Sequence, residues 1–246
     1  MRLKHLEALV LRRFVGRSED SIPVTDRKVV DAFVAAPDNT FLVSFPRTGS
    51  HWLRMLMEVY FGRPSLVRVF YYPERRDYLT LHTHDLDLDL ERTNVIYLYR
   101  DPVATIFSQL CYHDEPLDDC ARINHWSDLY GRHLDKWLCR ERFTRCKTVL
   151  TYEAMKQDLV GEFAKVTRHF GEELDEARLA KAASLVTKDE VRRKTRHDAQ
   201  VVQARPDYDR AGLEFKKKQG ALVWDVVTRG RPYLGSLLSH DCHRHE

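Results

Sequence analysis

The chain is 246 residues long, 43% hydrophobic and 31% charged, with a formal net charge of +3. That length suffices for one α/β domain with a substantial core. The composition is that of an ordinary soluble protein, it holds no run near the ~18–20 apolar residues of a membrane span, and its charge is too modest for a nucleic-acid footprint.

At the N-terminus, Leu3, Leu6, Leu9, Val10 and Phe14 recur at helical spacing among Arg2, Lys4, Arg12 and Arg13. The run is broken by Glu7 and is too short and charged for a secretory signal. Residues 1–38 are expected to form a helical extension packed on the domain, with weak contact at a membrane surface as the alternative. Phe41–Phe45 is apolar and β-prone apart from Ser44, and reads as a buried strand. Pro46 and Gly49 mark a turn. Trp52, Leu53, Leu56, Met57 and Tyr60 then predict a helix from about Ser50 to Phe61.

A strand, a tight turn and a helix in that order build an anion cradle. The first N–H groups of the helix lack intrahelical partners, and the helix dipole favours negative charge there. Arg47 adds a cation to the same turn. The nucleoside-triphosphate loop G-x-x-x-x-G-K-[ST] is absent, so an ordinary ATP or GTP site is disfavoured.

Residues 62–80 read as irregular and aromatic-rich, with Phe70, Tyr71, Tyr72 and Tyr78 among Arg63, Arg68, Arg75 and Arg76. A strand is expected at Tyr78–His82 and another at Val95–Tyr99. Between them Asp85-Leu86-Asp87-Leu88-Asp89 holds overlapping D-x-D units, which suit a divalent cation but also a half-buried edge or turn. Asp101 is a natural N-cap and Pro102 fits the first helical position. Ile106, Phe107 and Leu110 supply that helix's apolar face. Residues 113–120 form an acidic loop. Helices are expected at 121–142, 153–170 and 175–186, with a strand at 147–151.

Residues 188–218 hold ten Lys/Arg and six Asp/Glu, so positive charge concentrates there. The tail His240-Asp241-Cys242-His243-Arg244-His245 is rich in metal-ligating types but has no partner cluster, and no metal site is expected. Five cysteines (Cys111, Cys120, Cys139, Cys146 and Cys242) form no C-x-x-C pair. This fits a reducing compartment, and a cytoplasmic protein is the expectation.

Strands alternating with helices imply a single α/β domain with a central parallel sheet flanked by helices. Ligands then bind at the carboxyl ends of the strands, where Arg47, His84 and Arg100 all fall.

Pro46-Arg47-Thr48-Gly49-Ser50-His51-Trp52 resembles the phosphosulfate-binding loop of the sulfotransferases that use 3′-phosphoadenosine 5′-phosphosulfate (PAPS). Asn94-Val95-Ile96-Tyr97-Leu98-Tyr99-Arg100-Asp101-Pro102 is similar to that family's second strand-to-helix segment, with Arg100 and Ser108 at the family's spacing. Thr148-Val149-Leu150-Thr151-Tyr152-Glu153-Ala154-Met155-Lys156 matches a further strand. The resemblance covers about residues 40–225 and implies a P-loop-like sulfotransferase domain. It implies that Arg47, Thr48, Gly49, Ser50, His51 and Trp52 hold the phosphosulfate and adenine, with Trp52 on the ring. It gives the 3′-phosphate to Arg100 and Ser108, and an adenine contact to Tyr152. In Leu81-His82-Thr83-His84-Asp85 it makes His84 the catalytic base, with His82 two residues away as the rival.

The family's C-terminal phosphate motif finds a partial counterpart in Lys216-Lys217-Lys218-Gln219-Gly220 with Trp224 beyond, giving Lys217, Lys218 and Gly220; Arg229-Gly230 is a second candidate, and the resemblance implies a cofactor-covering loop in the basic stretch 188–218. Departures are Arg47 and His82, where the family usually has Lys. The implied reaction passes a sulfuryl group from PAPS to a hydroxyl of a glycan or small molecule, releasing adenosine 3′,5′-bisphosphate (PAP). Neither metal nor nucleic acid takes part. The alternatives are a metal-dependent nucleotide-sugar glycosyltransferase using the D-x-D units, and a nucleotide-binding module without turnover.

Overall fold

The computed structural model describes residues 22–23, 26–140, 144–196 and 207–243. Five strands are hydrogen-bonded in the order β3-β5-β2-β6-β7. They are β2 (Thr40–Ser44), β3 (Ser65–Leu66), β5 (Thr80–Thr83), β6 (Asn94–Tyr99) and β7 (Cys146–Thr151). The sheet is parallel, with Ser65 opposite Thr80 in one pair and Asn94 opposite Cys146 through Tyr99 opposite Thr151 in another. A two-stranded antiparallel ribbon joins β1 (Ile22–Pro23) to β4 (Arg68–Val69). The α/β class read from the sequence is the class observed.

The chain divides into two compact units. The first takes residues up to 42, 50–82 and 174–201. It holds α1 (Arg27–Ala35), α2 (Ser50–Phe61), α7 (Glu176–Leu185) and α8 (Lys188–Thr195). Asp26 caps α1 by accepting from the Lys28 N–H at 2.9 Å. Helix α2 is apolar on nearly every face, and Leu53, Met55, Leu56, Met57 and Tyr60 are buried.

Glu58 is buried on α2 and its carboxylate accepts the N–H groups of Ser65, Phe70 and Tyr71 at 2.9–3.0 Å. That carboxylate shapes the segment expected to be irregular, which instead contains β3 and β4. Periodicity could not reveal two-residue strands held by a side chain of another element. Burial raises the Glu58 carboxyl above its ordinary range, opposed by those N–H groups and Arg54.

The second unit takes residues 43–49, 83–173 and 202 onward. Its helices are α3 (Pro102–His113), α4 (Cys120–Leu134), α5 (Tyr152–Gln157), α6 (Leu159–His169), α9 (Tyr208–Thr228) and α10 (Pro232–His243). The helix expected over 121–142 ends in a π-helical turn at Asp135–Cys139. The one expected over 153–170 is broken at Asp158, whose carboxylate caps α6 through the Gly161 N–H at 2.8 Å. Gly131 permits close packing of α4 on α9, since a Cβ there would lie 2.5 Å from the Val227 carbonyl oxygen.

The expected amphipathic helix at residues 3–14 lies outside the described residues. No helix among the described residues is long and apolar enough to cross a membrane.

Candidate functional site

The chain leaves β2 through a buried Phe45 and turns over Pro46 to Gly49 before α2 begins at Ser50. Arg47 and Gly49 both take the left-handed region, at φ 73° and 90°. For a non-glycine residue this costs roughly 1–2 kcal/mol, and such strain collects at functional turns. Thr48 is buried between them and its Oγ1 donates to the Phe45 carbonyl at 2.9 Å. Gly49 has a steric requirement as well: a Cβ there would lie 2.5 Å from Cδ2 of Tyr152. Ser50 opens α2 and is buried, while His51 and Trp52 are half-buried.

The cationic groups converge on this turn. Arg100, just past β6, donates from Nη1 to the Arg47 carbonyl at 3.2 Å. Arg47 Nε donates to Ser108 Oγ at 3.2 Å. The Arg100 guanidinium lies 4.7 Å from the centroid of the Tyr152 ring, and that of Arg47 lies 5.3 Å from the Tyr112 ring. Arg100 Nε is buried without a hydrogen-bond partner; Glu153 Oε1 stands 3.9 Å away, an ion pair too long for a hydrogen bond. Asp101 and Pro102 begin α3 as expected, Asp101 accepting from the Ala104 N–H at 2.8 Å. Arg47, Gly49, Arg100, Ser108 and Tyr152 thus form one cluster able to take an anion.

His84 follows β5. Its Nδ1 lies 2.7 Å from the Ser44 carbonyl oxygen. A carbonyl only accepts, so Nδ1 carries the proton and Nε2 keeps the lone pair in the neutral ring. That is the tautomer a general base needs. The His84 carbonyl accepts from His133 Nε2 at 2.9 Å, and His133 Nδ1 lies 3.0 Å from the Tyr97 hydroxyl. Burial drives the His133 imidazole down to about 3.

Asp85, the first carboxylate of the D-x-D units, is buried against Arg92, which donates to both its oxygens at 2.8–2.9 Å. Thr83 Oγ1 also donates to it, at 2.7 Å. Arg92 and the hydrogen bonds hold the Asp85 carboxyl below its ordinary range against the opposing effect of burial. It is a structural ion pair, which takes Asp85 out of the D-x-D units and leaves Asp87 and Asp89. The described residues contain no group of three or more His, Cys, Asp or Glu poised to hold a metal.

Lys217, Lys218 and Gly220 do not lie in a loop, which corrects that expectation. They occupy the middle of α9, the lysines exposed and Gly220 buried. Residues 197–206 of the basic stretch lie outside the described residues, and α8 balances part of its charge through Arg193 and Glu190 at 2.8 Å. Arg229, the other C-terminal candidate, pairs with Asp225 at 2.6 Å. A cleft of about 500 Å³ between the acidic loop and α9 is lined by Asp114, Glu115, Asp118, Glu214 and Lys218. Another of about 600 Å³ lies between residues 86–89 and the ends of α4 and α9. Neither lining includes His84, Arg47, Arg100 or Ser108.

Sequence reading missed Tyr97, Tyr130, His133 and Glu153, which hold the named residues in place. One signal was available: His133 shares the helical spacing of Ile123, Tyr130 and Leu134 on the buried face of α4, and a histidine on a buried stripe needs partners.

No protein-family model and no curated protein matches the chain. Solved structures do. Mouse sulfotransferase SULT7A1 complexed with PAP aligns over 79% of this chain and 90% of its own, at 18% identity and TM-score 0.52. Retinol dehydratase complexed with retinol and PAP aligns over 91% and 94%, at 14% identity and TM-score 0.53. The same enzyme with androsterone and PAP gives 12% identity and TM-score 0.50. The chain has the sulfotransferase fold.

Proposed function

We propose that the chain is a PAPS-dependent sulfotransferase acting on a hydroxyl of a glycan or small molecule. The reading is carried by the hydrogen bond from His84 Nδ1 to the Ser44 carbonyl at 2.7 Å, which prepares Nε2 to take an acceptor proton beside an arginine-lined anion turn. One feature fits the donor: the buried Nε of Arg100 is without a hydrogen-bond partner beside the turn. The complexes of the fold neighbours with PAP support the same donor, and those with retinol and androsterone support a small-molecule acceptor.

When bound, PAPS supplies the sulfuryl group and a phosphate leaving group. Arg47 and the N–H groups of the turn stabilise charge on the leaving side, and Arg47 acts only electrostatically because guanidinium keeps its protons. Arg100 and Ser108 bind the 3′-phosphate through paired and hydroxyl donors. Trp52 and Tyr152 contact the adenine. His84 Nε2 accepts the acceptor's proton as the acceptor O–S bond forms and the S–O bond to phosphate breaks, a contribution of roughly 10²–10⁴-fold.

The test is calorimetric binding of PAP against ADP, followed by transfer from radiolabelled PAPS to a panel of phenols, alcohols and glycans. Preference for PAP and loss of transfer in His84→Ala with binding retained are expected. Equal affinity for ADP overturns the donor assignment. Activity that survives His84→Ala but not His82→Ala overturns the base.

A further inference from the structure

Helix α4 touches the backbone beyond two strands, and a side chain beyond a third, at one buried stripe. Tyr130 and His133 lie at i and i+3, so they share a helix face. The Tyr130 hydroxyl donates to the Arg100 carbonyl at 2.7 Å and accepts from the Arg100 N–H at 3.1 Å. His133 Nε2–H donates to the His84 carbonyl at 2.9 Å. Since a carbonyl only accepts, His133 Nδ1 holds the lone pair and receives the Tyr97 hydroxyl at 3.0 Å. The Phe45 ring, at the entrance to the anion turn, packs on both, 4.6 Å from the Tyr130 ring and 5.5 Å from that of His133. Phe45, Tyr97, Tyr130 and His133 are all buried.

We infer that α4 is the positioning element of the site, with His133 setting the backbone of His84 and Tyr130 setting the backbone of Arg100. This rests on the donor and base assigned above. Both contacts are to main chain, so each fixes where a side chain starts without touching substrate. A pair three residues apart on a rigid helix fixes base and phosphate-binding arginine relative to one another. Loops alone hold such distances poorly, and a displacement near 1 Å can lower a rate by about 10²-fold. Burial keeps His133 neutral, which preserves the single tautomer the chain of hydrogen bonds requires. The groups facing it are His84, Asp85 and Lys136.

The two residues should fail differently. His133→Met keeps an apolar filler and removes the donor. It is expected to lower kcat about tenfold or more while the PAP dissociation constant stays within about twofold. His133→Gln, which restores a donor near the Nε2 position, should recover most of that loss. Tyr130→Phe removes one hydroxyl and should weaken PAP by about tenfold while leaving ADP binding little changed. Should His133→Met not fold, Tyr97→Phe removes only the hydroxyl that His133 Nδ1 receives and should lower kcat in the same direction. If the variants lose binding and turnover together, or His133→Gln is no better than His133→Met, the inference is overturned.

A donor-free readout separates it from the functional assignment. Nitrogen-15 NMR of the imidazoles should show His84 as the Nδ1–H tautomer in wild type and a tautomer mixture in His133→Met. An unchanged His84 signal overturns the role of His133 whatever the donor is. Wild type that binds no PAP, with the His84 signal shifting as expected, overturns the donor alone.

Discussion

Arg47 and Ser108 are 61 positions apart and meet at 3.2 Å, guanidinium Nε to hydroxyl. One belongs to the turn after β2 and the other to the body of α3. The resemblance to sulfotransferases assigns them to opposite ends of the donor, the phosphosulfate and the 3′-phosphate. Their contact, together with the bond from Arg100 to the Arg47 carbonyl, draws the two anion sites into one network. An anion entering it meets Arg100 whose carboxylate partner, Glu153, stands 3.9 Å away and makes no hydrogen bond to Nε.

Arg100→Ala is expected to weaken PAP by at least 100-fold, since a bidentate charge-assisted contact to phosphate is worth about 3 kcal/mol. Ser108→Ala should weaken it by about tenfold. Neither should change ADP binding by more than about threefold, because ADP lacks the 3′-phosphate. Calorimetry of both nucleotides on both variants measures this. Parallel losses for PAP and ADP would place Arg100 and Ser108 elsewhere on the nucleotide.

Gly49→Ala meets two obstacles. At φ 90° an L-residue is strained, and the new methyl would sit 2.5 Å from the Tyr152 ring. Stability should fall by about 1–3 kcal/mol and PAP binding should be lost. Adding Tyr152→Ala relieves the collision and leaves the backbone strain, so only part of the stability should return. Denaturant unfolding of the single and double variants tests both terms; a neutral Gly49→Ala contradicts them.

Where the fold was legible, single segments carried their own signal. β2, α2 and the Asp101-Pro102 start of α3 needed only local periodicity and capping chemistry. The candidate site was read from the motifs around Arg47, His84 and Arg100, and the structure brings Arg100 to the Arg47 carbonyl at 3.2 Å. Illegible were the contacts between distant segments. Glu58 organises residues 65–71 from another element, and His133 is bound to His84 49 positions away. The lysine run 216–218 was read through the family's C-terminal motif, whereas it lies within α9, where Gly220 packs beside Val103.

Glu58→Gln tests the first of those contacts. The carboxylate accepts three backbone N–H groups, and an amide offers one oxygen and turns two N–H donors toward other donors. Destabilisation of about 2–3 kcal/mol is expected. Hydrogen exchange should quicken first at Ser65, Phe70 and Tyr71. Uniform quickening across the first unit would instead mean that Glu58 supports the unit as a whole.

Acid should destabilise the protein through His133. In the unfolded chain its imidazole takes a proton near the ordinary value of about 6.5. In the native state burial delays that to about 3. Between those values the unfolded state binds more protons, so stability is full above pH ~6.5 and falls as pH drops, by up to ~1.4 kcal/mol per unit. Burial lowers His169 to about 4, which adds in the same direction. Glu58 and Glu153 are raised by burial and oppose it, gaining stability in acid. Comparing wild type with His133→Gln cancels these shared contributions. The difference in unfolding free energy between the two should shift against wild type from pH 7 to pH 4, since glutamine does not titrate. Curves that stay parallel over that range would mean that His133 takes up its proton as readily in the native state as in the unfolded chain; Nδ1 would then donate to the Tyr97 hydroxyl while Nε2 still donates to the His84 carbonyl.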